Sequence, residues 1–150
     1  MLVTVNRFGI QETVEVPDDR IYEFEQGLGA FEQHHHYALI PEPDSPIEWL
    51  QSLHDPAVGF ALLDPFLFYP GYAFELPDCD AVALRLQRPE DAQVRCVLTV
   101  REAAEETTAN LLAPIVLNVG AGLGRQVVLT ESDLPLRYPV FESLRLAAGT

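Results

Sequence analysis

The sequence has no lysine, and its nine basic residues, all arginine, face 23 acidic residues. The formal net charge is therefore −14 at pH 7. A surface this negative repels phosphate backbones and anionic lipid headgroups, which argues against nucleic acid or a membrane as a direct partner. Solubility alone could explain so acidic a surface, but the negative charge would also steer the approach of a basic protein.

Cysteines and long apolar runs are scarce as well. Cys79 and Cys96 are the only cysteines, too few for a disulfide framework in a chain of this length. Residues 1–7 alternate apolar and polar side chains and lack the basic-then-apolar plan of a signal peptide. No apolar run approaches the ~18 residues that span a bilayer. We therefore expect a cytoplasmic protein with reduced thiols.

Familiar catalytic patterns are missing too. The sequence has no GK[ST] phosphate loop, no GxSxG elbow and no HExxH pair. The glycine-rich stretch 120–124 precedes a strand-like run rather than a helix, which predicts a β-hairpin loop. Cys79 lies between two aspartates and Cys96 lies on the apolar face of a predicted strand, so neither resembles a nucleophile. We predict that the protein is not an enzyme and needs no cofactor or metal.

Three adjacent histidines, His34, His35 and His36, interrupt this picture. Successive side chains of a strand point to opposite faces, so adjacent residues there cannot all bind one ion. No second group of ligand residues lies at metal spacing. We predict a solvated loop at this run, with an incidental metal-affinity site as the alternative.

Short alternating runs of apolar and polar residues are abundant. Residues 3–8 and 12–16 predict a hairpin whose tip lies near residues 9–11. Pro114, inside the longest apolar run, predicts an edge or a bulge. Further strands are predicted at residues 21–24, 37–40, 58–63, 93–100, 109–119 and 126–130.

Two stretches predict short helices. In residues 46–53, Ser45 would be the N-cap and Pro46 the first helical residue. In residues 77–86, aspartates near the start and arginines near the end complement the helix dipole. Residues 65–72 are aromatic-rich and predict a structured connection, whereas 136–146 is ambiguous. The whole pattern predicts a mainly β fold, a barrel or a sandwich, with one or two short helices.

Three segments resemble the FliW family of flagellar assembly factors. FEQGLGAFE at 24–32 resembles F-x-x-G-L-P-G-F-E, with Gly-Ala in place of Pro-Gly, so its turn must be made differently. LQSLHDPAVGF at 50–60 resembles L-Q-S-x-x-D-P-x-x-x-F. TANLLAPIVLN at 108–118, followed by GRQ at 124–126, resembles T-x-N-L-x-A-P-x-x-x-N and G-x-Q. The motif residues are Gly27, Phe31, Asp55, Pro56, Phe60, Asn110, Ala113, Pro114, Asn118, Gly124 and Gln126.

The resemblance implies a single-domain, antiparallel β-barrel-like fold over residues 1–150. It further implies a cytoplasmic binding switch that binds flagellin and antagonises the RNA-binding translational regulator CsrA. Plentiful flagellin would occupy the protein and free CsrA. An RNA-binding regulator needs a basic surface, so the acidic composition is consistent with CsrA as a partner.

Chemistry and motif position predict two contact surfaces. An apolar groove near Phe66, Tyr69 and Tyr72 would bind flagellin, unless these rings simply fill the core. Two other functions stay open: a small hydrolase-type enzyme using carboxylates or the histidine run, and a structural β-barrel adaptor unrelated to flagella. The acidic residues predicted to contact CsrA are Glu23, Glu25, Asp55, Asp64 and Glu75.

Overall fold

The structure, a computed structural model, describes residues 1–7 and 9–140. In that part of the chain one α-helix, α1 (Asp78–Ala83), accompanies ten strands and four short 3-10 turns. It is too short to cross a bilayer, and no other helix of the described residues is long and apolar enough to do so. The strands are β1 (Leu2–Arg7), β2 (Ile10–Glu15), β3 (Ile21–Glu23), β4 (His36–Pro41), β5 (Glu48–Ser52), β6 (Gly59–Leu63), β7 (Ala92–Thr99), β8 (Thr108–Asn118), β9 (Leu123–Gln126) and β10 (Tyr138–Pro139).

Seven of the strands close into a barrel in the order β8-β7-β6-β5-β4-β3-β9, and β9 pairs back onto β8. Every pair is antiparallel except β3 and β9, which meet in parallel at Glu23 and Leu123. Strand β10 adds to the first residues of β8, and β1 and β2 form a separate hairpin. The predicted mainly β, barrel-like fold with one or two short helices is confirmed. That one domain spans residues 1–150 stays a prediction.

Alternating side chains fill the barrel because successive residues of a strand face opposite sides. Leu39 of β4 pairs with Leu50 of β5, which in turn pairs with Phe60 of β6, and the three lie in one layer. The fully or nearly fully buried members of this inner core are Tyr22, Phe24, Leu28, Tyr37, Leu39, Leu50, Leu62, Ile115 and Leu117.

The outer face of the barrel is covered in three places. The β1–β2 hairpin packs Val3 and Val5 on Ala38 and Ile40. The connection after β6 and strand β10 cover the outer side chains of β6, β7 and β8. Helix α1 and the segment after β9 cover the other half of β8, around Val116. The barrel therefore has apolar side chains on both faces, which explains its many short apolar runs.

The helix predicted at residues 46–53 is wrong, because this segment contains strand β5 between β4 and β6. Ser45 does accept a hydrogen bond from the backbone N–H of Ile47, at 3.1 Å. It closes a turn before the strand and does not cap a helix. Trp49 and Leu50 then face opposite sides of the sheet, as strand residues do.

The helix predicted at 77–86 is confirmed in a shorter form, Asp78–Ala83, and the left-handed residue Arg85, at φ 56°, follows its C-cap Leu84. The first hairpin is confirmed, although β2 already begins at Ile10. The strand predicted at 126–130 is misplaced, because β9 starts right after the turn at Gly122 and ends at Gln126. The ambiguous stretch 136–146 contains β10, and residues 141–146 lie outside the described part.

Candidate functional site

The pairing of strand β8 with β7 is interrupted in the middle of β8, where the sequence reads Asn-Leu-Leu-Ala-Pro. Arg95 of β7 pairs with Ile115, whereas Val97 pairs with Asn110. Residues 111–114 therefore have no partner on β7, and the chain bulges there. The predicted bulge at the proline of this motif is confirmed.

Side chains of the motif provide hydrogen-bond partners for the backbone groups of this bulge. The Asn110 side-chain oxygen accepts from the N–H groups of Leu112 and Ala113, both at 3.0 Å. Pro114 has no N–H that needs a partner, and its carbonyl accepts from Val127 at 2.9 Å. The motif thus holds β8 in a bent form that pairs with β7 on one side and with the chain after β9 on the other.

Two further motif amides tie separate segments to β8. Gln126 donates to the Ala113 carbonyl at 3.2 Å, and its side-chain oxygen accepts from the Gly29 N–H at 3.2 Å. Asn118 donates to the Leu84 carbonyl at the end of α1, at 2.8 Å. These side chains fix the loop before β4 and the helix end against the barrel.

Two motif glycines are required by close packing. Gly27 has φ +70°, and a Cβ there would overlap the backbone of Phe31 and Glu32. A Cβ on Gly124 would overlap the ring of Phe24. Both positions therefore exclude any side chain.

The departure from Pro-Gly in the first motif changes the turn between Leu28 and Phe31. These two residues form a β-bridge around Gly29 and Ala30. Gly29 takes φ +59° at the first central position, a value that proline cannot adopt. The turn is thus the mirrored kind, with positive φ at its first central residue rather than its second.

The second motif organises the loop between β5 and β6. The buried Gln51 amide donates toward the Val58 carbonyl at 3.0 Å and lies near two further loop carbonyls. The Ser52 hydroxyl oxygen accepts from two loop N–H groups. Asp55 accepts from the Ala57 N–H at 2.9 Å. One oxygen of Asp55, predicted to contact CsrA, is therefore used within its own loop.

A large groove of about 870 Å³ lies between the connection after β6 and helix α1. Its floor is the outer face of β7 and β8, and it is open to solvent. Its apolar lining comes mainly from Phe66, Tyr72, Phe74, Leu76, Ala81, Leu86, Val94 and Val116, and its charged rim from Asp64, Glu75, Arg88 and Arg95.

The three aromatic residues predicted for flagellin have different environments. Phe66 is 58% exposed and lines the groove. Tyr72 also lines it but is almost fully buried, and its hydroxyl donates to the Leu111 carbonyl at 2.9 Å. Burial raises the Tyr72 pKa well above its usual range. Tyr69 packs edge-on against Tyr138 and lies outside the groove lining.

The five predicted acidic residues do not all line one concavity. Asp64 and Glu75 lie on the rim of the aromatic groove. Glu23 and Glu25 line a separate cleft of about 270 Å³ beside the end of α1. Asp55 lies in the β5–β6 loop. The prediction therefore combined two acids of the groove rim with acids that lie outside the groove.

Both acidic groups lie close to arginines. At the groove, Arg95 makes a 2.7 Å ion pair with Glu48 and lies 4.0 Å from Asp64. In the smaller cleft, Arg125 pairs with the mostly buried Asp80 at 2.5 Å, which joins β9 to α1. These pairs fix the walls of both concavities.

The histidine run is only partly a loop. His36 opens β4, whereas His34 and His35 precede it and are half-buried. His35 Nδ1 lies 3.1 Å from the Phe24 carbonyl, which can only accept, so this nitrogen carries a proton. His34 Nδ1 lies 3.1 Å from the Ser52 hydroxyl. Among residues 1–7 and 9–140, no three His, Cys, Asp or Glu side chains are grouped so as to hold a metal ion.

The two cysteines differ in environment. Cys96 is fully buried on the outer face of β7, and its thiol lies 3.2 Å from the Leu63 carbonyl. Burial raises the Cys96 pKa to about 12. Its thiol therefore stays protonated at neutral pH, whereas Cys79 is exposed on α1.

Comparison with known proteins identifies the family. The model of the FliW protein family matches residues 5–140. The chain belongs to the FliW family. The flagellar assembly factor FliW of Caldicellulosiruptor saccharolyticus is 37% identical over 131 residues, which cover 87% of this chain and 86% of that protein. The Syntrophus aciditrophicus FliW is 35% identical over 150 residues, covering 99% and 93%.

A solved structure agrees with the FliW assignment. A crystal structure of the flagellar assembly factor FliW superposes with a TM-score of 0.85 at 33% identity, covering 94% of this chain and 97% of that one. The resemblance inferred from the three motif segments is confirmed.

In this FliW-family chain, many of the motif residues hold the barrel together, and most of the groove lies outside the motifs. Phe74, Leu76 and Leu86 were not among the predicted site residues, although all three line the groove. The sequence feature that could have indicated the groove is a set of apolar residues on both sides of a six-residue helix, which is too short to bury them by itself.

Proposed function

We propose that this protein is a cytoplasmic flagellar assembly factor that works as a binding switch. In this proposal it binds flagellin and antagonises the RNA-binding translational regulator CsrA. Family membership supports the flagellar role, because the relatives carry the name flagellar assembly factor. The observation that carries protein binding is the open apolar groove of about 870 Å³ on an otherwise acidic barrel.

The groove suits an amphipathic segment of flagellin. Phe66 offers an exposed ring at the edge, and the apolar floor lies between β7 and α1. Carboxylates and guanidinium groups on the rim would pair with polar side chains beside the apolar stripe of such a segment. The charged rim would thus orient the bound flagellin segment, and the apolar floor would supply most of the binding free energy.

The placement of the acidic residues suggests how one partner displaces the other. Asp64 and Glu75, predicted for CsrA, lie on the rim of the groove predicted for flagellin. A partner that contacts these carboxylates would cover part of the groove. Binding of flagellin and of CsrA would then be mutually exclusive at this edge, as a switch requires.

Titration calorimetry with CsrA and flagellin from the same organism tests the proposal. Phe66→Asp should weaken flagellin binding at least about tenfold, because it places a charge in the apolar groove. Val128→Asp is the matched control, since Val128 is equally exposed, at 58%, and lies outside the groove. No heat with either partner would refute the switch.

Charge reversal separates the two acidic groups. Glu75→Arg and Glu23→Arg change exposed residues on the groove rim and in the smaller cleft, respectively. If CsrA contacts the groove rim, Glu75→Arg should lower its affinity, and if CsrA contacts the acidic residues near Glu23, Glu23→Arg should lower it. Either effect should shrink with added salt. An unchanged affinity in both variants would place CsrA elsewhere.

The hydrolase alternative gains no support from the family, whose members are named for flagellar assembly. Membership of that family also argues against an adaptor unrelated to flagella.

A further inference from the structure

Four aromatic and imidazole rings form a row at one end of the barrel, where β3 and β5 end and β4 and β6 begin. Phe31, His34, His54 and His36 follow one another with ring centroids 5.5, 5.5 and 6.1 Å apart. Successive rings are tilted by 35°, 32° and 38°. Phe31, His36 and His54 are exposed and His34 is half-buried. We call these four residues the ring row.

Hydrogen bonds fix the middle of the ring row. The buried Ser52 hydroxyl oxygen accepts from the backbone N–H groups of His54 and Asp55, at 3.0 and 3.3 Å. A hydroxyl oxygen has two lone pairs and one proton, so the proton is left to bond Nδ1 of His34, 3.1 Å away. In this arrangement the His34 ring carries its proton on Nε2.

Packing fixes the end of the row. Phe31 is held by the β-bridge to Leu28, and its ring meets Phe60 edge-on at 6.0 Å. The row is therefore set before any partner arrives, which lowers the entropy lost on binding.

One carboxylate lies opposite the row in the strand register, and two more are next to row residues in the sequence. Glu23 pairs directly opposite His36 in the β3–β4 ladder. Asp55 follows His54, and Glu32 follows Phe31; all three acids are exposed. Ring faces next to carboxylates suit a guanidinium, which stacks on π faces and donates N–H groups in its own plane. A lysine ammonium matches the charge but not the planar shape.

We propose that the ring row is a docking surface for an arginine-bearing segment of a basic partner protein. An arginine stacks on the rings and is held by the bordering carboxylates. The inference rests in part on the proposed function, since Glu23 and Asp55 belong to the predicted CsrA surface. It adds Phe31, His34, His36 and His54 as residues that distinguish arginine from lysine. A nucleobase would also stack on such rings, but the charge of −14 opposes its phosphate.

Peptides of matched sequence test this surface without CsrA. The full-length, ¹⁵N-labelled protein is titrated with a Gly/Ser peptide carrying four arginines, with its lysine counterpart, and with a short single-stranded RNA. We expect the arginine peptide to bind about fivefold more tightly than the lysine peptide. Amide shifts should centre on His36, His54 and Asp55. RNA should not bind.

Two variants locate the effect. His54→Ala keeps the backbone N–H that Ser52 accepts, and it should reduce the arginine preference to near one. Phe31→Ala should do the same, with a melting curve to show that the loss of its contact to Phe60 has not unfolded the protein. Val128→Ala, an exposed change outside the row, should bind as the wild type does.

Three results would overturn the inference. Equal binding of the two peptides would mean that charge alone attracts them. Shifts centred on Phe66 and Val94 would place the peptide in the aromatic groove. Binding of the RNA would make the row a nucleobase platform. If CsrA binds the protein but the two peptides bind equally, only this inference fails. If the arginine peptide is preferred but CsrA does not bind, this inference holds and the proposed function fails.

Discussion

The ring of Phe24 occupies the space that a side chain at position 124 would need, so Gly124 and Phe24 are packed as one unit. Gly124 lies on β9, and Phe24 follows β3. The parallel contact between these two strands consists of one residue pair, Glu23 with Leu123. The closure of the barrel therefore combines this ring-on-backbone contact with backbone hydrogen bonds, such as the one from the Glu23 N–H to the Gly122 carbonyl at 2.8 Å.

Gly124→Ala should destabilise the protein by about 1–3 kcal/mol, because the added methyl forces Phe24 out of a fully buried site. Urea unfolding followed by circular dichroism measures the change. Gly120→Ala is the matched control: its Cβ would meet only the Asn118 side-chain oxygen, at 3.8 Å. A similar midpoint for the two variants would show that the closure tolerates the shift.

Asn110→Ala should cost about 1–3 kcal/mol of unfolding free energy, because it removes the acceptor for the N–H groups of Leu112 and Ala113. Asn110→Asp keeps an acceptor of the same shape and should lose much less. Urea midpoints of the two variants give the comparison. Equal losses would mean that the amide NH₂ group, and not the oxygen, holds the bulge.

The strand pattern and the motifs were readable from the sequence because both are local. Alternation over a few residues placed β1, and short apolar runs placed β4 and β6. Pro114 marked the bulge, since proline cannot donate within a sheet. Strand β5 was misread because Ser45 and Pro46 form a start signal shared by turns and helices. Only pairing with β4 and β6 shows that a strand, and not a helix, follows this signal, and that pairing involves residues distant in sequence.

The site was less predictable because its parts are distant in sequence. Phe66, Leu86 and Val94 reach the groove from a connection, a helix end and a strand. The ring row likewise joins His34 and His54 across two strands. Acidic residues could not be grouped by sequence at all, since neighbours such as Asp55 and Asp64 lie in different places on the barrel.

The two cysteines should differ sharply in reactivity. At neutral pH a thiol reagent should label Cys79, which is exposed, and leave Cys96 untouched. Burial raises the Cys96 pKa to about 12, and the thiolate is the reactive form. Ellman's reagent should therefore count one thiol in the native protein and two in denaturant. Cys79→Ser should count none in the native state; a count of one would show that β7 opens readily.

Tyr37 and Tyr72 offer a matched test of buried hydroxyl groups. The Tyr37 hydroxyl is buried without a hydrogen-bond partner among the described residues. That of Tyr72 donates to the Leu111 carbonyl. Tyr72→Phe should therefore cost about 1 kcal/mol, whereas Tyr37→Phe should be neutral or stabilising by up to about 1 kcal/mol. Urea unfolding at neutral pH measures both, and a clear loss in Tyr37→Phe would show that its hydroxyl has a partner after all.

Alkaline pH extends the comparison for Tyr37. Burial raises its pKa to about 12 in the folded protein, while an unfolded tyrosine ionises near pH ~10. Between these values the unfolded chain releases the proton and the folded protein keeps it, so stability falls as the pH rises. Phenylalanine has no such proton. The stability advantage of Tyr37→Phe over the wild type should therefore grow from about pH 9 to about pH 11. A constant difference over that range would mean that Tyr37 ionises equally in both states.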